Sequence, residues 1–300
     1  MNTPPPAHRW RIPAAFAAVY LIWGSTYLGI RFAIETIPPF LMAGTRFLIA
    51  GAILYAAARL RGTRPTSGIQ WRAALVVGGL MLLGGNGGVV WAEQVVPSGQ
   101  ASLMIATVPL WLVLLNWVRG DRLRPTRPVV LGLGLGLLGI TLLAAPTITA
   151  DSGSASSIGL LVLALGSLSW AIGSLYSRVA PMPQDGVLGT AMEMLAGGAL
   201  LTVAGLAVGE AGQVHLEAIS ERSIVAYLYL ILFGSLVGFS AYVWLLKNTT
   251  PALVGTYAFV NPIVAVFLGW ALAGEPLSWR MAAAAAAIVA GVALITLRRR

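Results

Sequence analysis

The chain has 300 residues, of which 58% are hydrophobic and only 10% charged, and a mean hydropathy of +0.83. A soluble domain carries about a quarter charged residues, so this composition excludes a soluble fold and points to lipid. With no cysteine, there is no disulfide framework and no thiolate metal site. The net charge of +9 would suit nucleic acid, but the basic residues follow a membrane pattern and a nucleic-acid partner is not expected.

Residues 1–11 contain Pro4-Pro5-Pro6 and read as a disordered tail. The first apolar run, 12–32, is too long for a signal-peptide core and reads as an uncleaved helix. A membrane-spanning helix needs about 20 apolar residues. Further stretches follow at 39–58, 73–92, 98–118, 128–145, 157–178, 187–208, 224–246, 251–273 and 279–297, making ten spans. Proline marks most breaks: Pro38-Pro39, Pro97, Pro125, Pro146, Pro181, Pro183, Pro251 and Pro276. Asp-Ser-Gly-Ser-Ala-Ser-Ser at 151–157 reads as a flexible linker between units at 12–150 and 158–300.

Those units are diverged copies. Trp23 and Arg31 are matched by Trp170 and Arg178 at an offset of 147. Trp91, Pro109 and Trp117 answer to Trp244, Pro262 and Trp270 at 153, and Gly139 to Gly291 at 152. Five crossings per copy place the second copy upside down. The expected fold is therefore an all-α integral membrane protein of ten transmembrane helices in two inverted five-helix repeats. Such repeats are the architecture of secondary transporters.

Lys and Arg favour cytoplasmic loops. With the amino terminus inside, inner segments hold Arg9, Arg11, Arg59, Arg61, Arg64, Arg72, Arg119, Arg122, Arg124, Arg127, Arg178, Lys247 and Arg298 to Arg300. Outer loops carry Glu35, Glu93, Asp151, Glu210, Glu217, Glu221 and Glu275, with Arg31, Arg222 and Arg280 as exceptions. Both termini are thus expected in the cytoplasm.

No phosphate-binding Gly-x-x-x-x-Gly-Lys-Ser/Thr loop is present, and His8 and His215 fall outside the spans. No catalytic residue, metal site or cofactor is expected. The glycines at 132–139 read as close helix packing. Depth counting puts Trp23, Asn86, Thr107, Ser169, Trp170, Ser240 and Asn261 near the midplane, where inverted-repeat transporters bind substrate. Asn86 sits in a Gly-rich run, and Asn261 precedes Pro262, so a flexible third span beside a Pro-broken fourth is expected to recur as the eighth and ninth. The bland reading of each polar residue is interhelical glue; their recurrence in pairs argues for a cavity. Aromatic residues in the spans, including Trp91, Tyr242 and Tyr257, suit a partly hydrophobic organic ligand.

Arg46 and Glu193 are intramembrane charges at equivalent positions. Each lies about two turns from a helix end, so snorkelling or a structural ion pair is the expected role. Glu93, at the outer end of the third span, is the other carboxylate able to respond to protons.

Several stretches resemble the drug/metabolite transporter superfamily in its EamA-type branch: Trp23-Gly24-Ser25 with Arg31, Thr45-Arg46-Phe47, Leu103 to Pro109-Leu110 and Gly120-Asp121-Arg122-Leu123. Trp170-Ala171, Asn261-Pro262, Gly274-Glu275-Pro276-Leu277 and Gly291-Val292 continue the likeness. The resemblance implies export of small organic metabolites from the bacterial cytoplasm across the inner membrane. Similar members include amino-acid exporters, one of them for aromatic amino acids. It also implies a cavity walled by helices one, three, four, six, eight and nine, with the last helix of each half outside. Glu193 departs from the Arg usual at its position in the first half.

The expected activity is export of amino acids or related metabolites by alternating access. Trp23, Asn86, Trp91, Thr107, Trp170, Tyr242, Tyr257 and Asn261 are the candidate substrate contacts. The partners are a small-molecule substrate and the lipid bilayer, with movement either coupled to protons or facilitated, and the chain as monomer or homodimer. Rival readings are a multidrug exporter of lipophilic cations, which would want an acidic cavity, and an uncoupled channel, scramblase or sensor.

Overall fold

The computed structural model describes residues 10–118, 127–149, 154–249 and 254–297. Ten helical rods occur among them. They are α1 (Arg11–Ala33), α2 (Pro39–Leu60), α3 (Gly68–Ala92), α4 (Ser98–Ile105 and Val108–Val118), α5 (Arg127–Thr149) and α6 (Ser154–Ser177). The remainder are α7 (Gly186–Ala207), α8 (Glu221–Tyr229, Leu230–Phe239 and Ser240–Asn248), α9 (Tyr257–Ala273) and α10 (Trp279–Leu297). Six of them, α1 to α3 and α6 to α8, are long and apolar enough to cross a bilayer. The protein is an all-α membrane protein. The expected tail lies outside the described residues up to residue 9, as does the Gly120 to Leu123 motif. Of the expected linker, 151–153 lie outside them too, while Ser154 to Ser157 already form the first turn of α6.

Local chemistry sets the helix ends. Pro38 is extended (ψ 134°) and Pro39 takes the first position of α2, where a missing N–H costs nothing. Ser67 and Gln70 form a reciprocal cap on α3. Asp185 and Ser220 accept the Leu188 and Ser223 amides at the starts of α7 and α8. Gly209 and Gly274, with φ of 84° and 64°, close α7 and α9 in the left-handed conformation.

The main helix pairings recur when the two halves are exchanged. α2 lies against α7, α5 against α10 and α4 against α9, each rod meeting its own counterpart. α1 meets α8 and α9, just as α6 meets α3 and α4. Large apolar side chains such as Leu21, Ile53, Leu131, Leu161, Val203 and Phe267 project outward, as lipid as solvent requires.

Proline acts differently in the two halves. α4 is interrupted at Ala106 and Thr107, just ahead of Pro109. The expected break at Asn261-Pro262 does not occur: α9 runs unbroken through Pro262, and the irregular turn sits at Gly255 and Thr256. The bond that Pro262 cannot make would reach Ala258, in the first turn of α9. The disruption is therefore displaced to the helix start.

Two carboxylates from outside cap these rods. Glu210 accepts the Phe40 and Leu41 amides at 3.0 and 2.8 Å, at the start of α2. Glu275 accepts the Ser98 amide and hydroxyl, both at 2.8 Å, and the Gly99 amide at 3.1 Å, at the start of α4. A carboxylate suits the positive end of a helix and satisfies amides that have no intrahelical partner. Glu275→Ala is expected to cost about 1–3 kcal/mol, read as a lower melting temperature in detergent, with Glu275→Gln recovering part of the loss.

Candidate functional site: an aromatic-floored chamber between the halves

Three rods are underwound into π-helix at the centre: residues 18–23 of α1, 79–86 of α3 and 230–239 of α8. Such segments have a wider turn and gather at functional sites. The last two fall in the Gly-rich stretches, where helix propensity is weakest. Side chains of α1 and α6 bond to carbonyls of the widened turns. Trp23 Nε1 donates to the Gly234 carbonyl at 3.2 Å, and Ser169 Oγ to the Leu80 carbonyl at 2.7 Å.

The same pairs meet face to face. A Cβ on Gly238 would stand 2.6 Å from Trp23 Nε1, and one on Gly85 would stand 2.8 Å from Trp170 Cε3. Gly85 and Gly238 are repeat equivalents at an offset of 153, as Trp23 and Trp170 are at 147. Each half thus supplies a tryptophan that rests on a glycine of the other.

Around this seat the rings form one layer. The centroid of Trp23 lies 5.8 Å from Trp170, 6.4 Å from Phe239, 4.8 Å from Tyr242 and 5.8 Å from Tyr257. Tyr242 is held from below by Ser174 at 3.2 Å and by Trp170 Nε1 at 3.4 Å. Edge and tilted contacts of this kind add to simple area burial.

Above the layer, towards the turns at 34–38 and 93–97, lies a partly open chamber. Its walls are Trp23, Thr26, Tyr27 and Ile30 of α1, Arg46 and Phe47 of α2, Leu82, Gly85, Asn86 and Val89 of α3, and Ile105 of α4. Trp170, Gly234, Phe239 and Tyr257 complete it from the second half. Asn86 Oδ1 has no hydrogen-bond partner. Below the layer, towards the termini, are two further cavities, one lined by Ser174, Tyr242 and Tyr257, the other by Arg178, Thr190 and Glu193.

Among the sequence candidates, Trp23, Asn86, Trp170 and Tyr257 line the chamber, and Tyr242 lies in the layer beneath it. Trp91 sits against the hydrophobic core outside the lining. Thr107 is buried and bonds to Ser167 at 3.1 Å and to the Met104 carbonyl at 2.6 Å, satisfying the break in α4. Asn261 is buried outside the lining, with its carbonyl 3.3 Å from where a Cβ on Gly24 would stand. Helix α2, which the family resemblance left out of the wall, contributes Arg46 and Phe47. For Arg46 the expected snorkelling or structural ion pair is overturned. Arg46 is 3% exposed, and the one salt bridge among the described residues is the half-exposed pair Arg222–Glu35 at 3.5 Å. The Arg46 Nε donates sideways to Ser235 Oγ of α8 at 2.8 Å, which holds the side chain in the core.

Glu93, just past α3, is fully buried, and neither carboxylate oxygen has a hydrogen-bond partner. Arg31 Nη1 donates to the Glu93 backbone carbonyl at 2.6 Å, not to the carboxylate. Burial, and then the charge of Glu275, push the Glu93 carboxyl well above the ordinary range, while Arg31 pulls the other way.

Both halves of the chain match the model of the EamA-like transporter family, over residues 10–145 and 157–297. The chain belongs to that family. It is 42% identical over 288 residues to the inner membrane transporter YedA of Escherichia coli strain K12, covering 94% of this chain and 90% of the relative. Protein PecM of Dickeya dadantii is 26% identical over 267 residues, covering 86% and 82%. A solved crystal structure aligns with a TM-score of 0.67 at 25% identity, over 96% of this chain and 97% of the other. The protein is accordingly a membrane transporter of the inner membrane.

Two outcomes follow from this geometry. Gly238→Ala and Gly85→Ala are each expected to displace the facing tryptophan and to destabilise by about 1–3 kcal/mol, visible in tryptophan emission and thermal melts. Because the Glu93 carboxyl is raised in the fold, its contribution to stability is complete in acid and is lost as pH rises through its elevated value. The melting temperature should fall over that rise, and Glu93→Gln should flatten the profile.

Proposed function

We propose that the protein exports amino acids, aromatic ones included, or closely related metabolites, by rocking one half against the other around the chamber. The observation that carries this reading is a chamber shared by both halves, floored by aromatic rings and sealed by them from the cavities near the termini. Such a floor stacks on an apolar or aromatic side chain, and the open Asn86 acceptor suits an N–H donor. In this reading both termini are cytoplasmic, so the aromatic layer is the inner gate and must part for substrate to enter. Protons are the coupling ion, with the buried Glu93 carboxyl as their carrier.

A lipophilic-cation exporter is the weaker alternative. That chemistry needs a carboxylate in the cavity, and the chamber lining contains none. An open channel or scramblase fits a continuous polar path, which the ring layer interrupts.

The test is uptake into inverted vesicles or proteoliposomes with labelled phenylalanine, leucine, glutamate and cationic dyes. Concentrative uptake of phenylalanine, abolished by collapsing the proton gradient, is expected. Trp23→Ala and Trp170→Ala should each reduce it about tenfold or more per folded molecule, with folded protein quantified alongside. Uptake of the dyes with none of the amino acids would sink the assignment.

A further inference from the structure

We propose that Arg46 is the anchor for a carboxylate on the transported molecule, so that the chamber selects organic acids and zwitterions over amines and amides. This rests on the reading of the chamber as the substrate site and adds to it the charged group that the substrate must carry.

Arg46 is the one charged residue in the chamber lining, and it is 3% exposed. Its Nε donates to Ser235 Oγ at 2.8 Å, and its guanidinium carbon lies 4.4 Å from the Phe47 ring centroid. A Cβ on Gly234 would stand 3.7 Å from Nη2, so the π-wound backbone of α8 makes room for the group. These contacts fix the plane of the guanidinium at its Nε side. The outer end is left unmatched: Nη1 has no partner, and no carboxylate of the described residues lies within ion-pair distance.

A guanidinium keeps its charge in proteins, and an uncompensated buried charge costs several kcal/mol. Lipid offers no counterion at that depth. The arrangement persists where a ligand supplies the missing charge. A guanidinium fork matches the planar, two-oxygen geometry of a carboxylate, and the aromatic floor below would take the organic remainder. The equivalent position in the other half supports a directional device. It is Glu193, which lines the cavity on the far side of the ring layer, so repeat-equivalent charges of opposite sign face opposite ends of the path.

The purified full chain in detergent would be titrated with matched probes: phenylalanine and phenylalaninamide, 3-phenylpropanoate and 3-phenylpropanamide, and inorganic phosphate. Tryptophan fluorescence and thermal shift are the readouts. Each acid is expected to bind at least about tenfold tighter than its amide. Arg46→Gln should erase that preference. Arg46→Lys, which keeps charge without the fork, should give an intermediate preference; it and the wild-type comparison decide the matter if Arg46→Gln does not fold. The proposal is overturned if wild-type protein binds acid and amide equally, binds neither acid, or is displaced by phosphate as readily as by 3-phenylpropanoate. It also fails if Arg46→Gln retains the acid preference. Preference for 3-phenylpropanoate with no binding of phenylalanine would uphold the anchor and sink the amino-acid reading. Phenylalanine binding without preference over its amide would do the reverse.

Discussion

Two tryptophans resting on two glycines hold the centre of this protein together. Trp23 lies on Gly238 and Trp170 on Gly85, each ring reaching across from one half into a widened turn of the other. Any side chain at either glycine would wedge the halves apart. In lipid no hydrophobic force drives helices together, so close approach and buried hydrogen bonds must do so. The glycines supply the approach. The widened turns supply bare carbonyls, which the Trp23 indole and the Ser169 hydroxyl satisfy. The aromatic layer and the chamber above it follow from that one arrangement.

The same solvent explains how charge is placed. Glu210 and Glu275 are buried or partly buried, yet each is spent on helix amides that would otherwise lack partners. They belong to the scaffold. Glu93 and Arg46 are buried with polar atoms left over, which a scaffold has no reason to retain. Burial raises the Glu93 carboxyl pKa, so binding a proton relieves the cost there. Arg46 has no such relief, because a guanidinium does not give a proton up, and so it depends on a partner from outside.

Part of the site was legible in the chain because duplication doubles every signal. Trp23, Trp170 and the Gly-rich runs recur at fixed offsets, and recurrence separated them from ordinary glue. Depth along a helix could not tell which side of the rod a residue faces. Thr107 and Asn261 share the midplane with Asn86, but they turn into packed interfaces, and Trp91 turns towards the core. Arg46 was misjudged for the same reason. Its distance from the helix end allowed snorkelling, whereas its azimuth points it at α8.

Hydrophobic run length and the arginine distribution by themselves determined a multi-pass helical protein, because a bilayer demands apolar spans of one length. The repeat offsets added an inverted pair of halves, since an odd number of crossings reverses the second copy. Only the tertiary structure decided where helices depart from α geometry, which glycines carry tryptophans, that α2 joins the chamber wall, and which charges remain unmet. Those properties depend on rotation about each helix axis and on contacts between residues more than a hundred positions apart, and linear order does not encode either one directly.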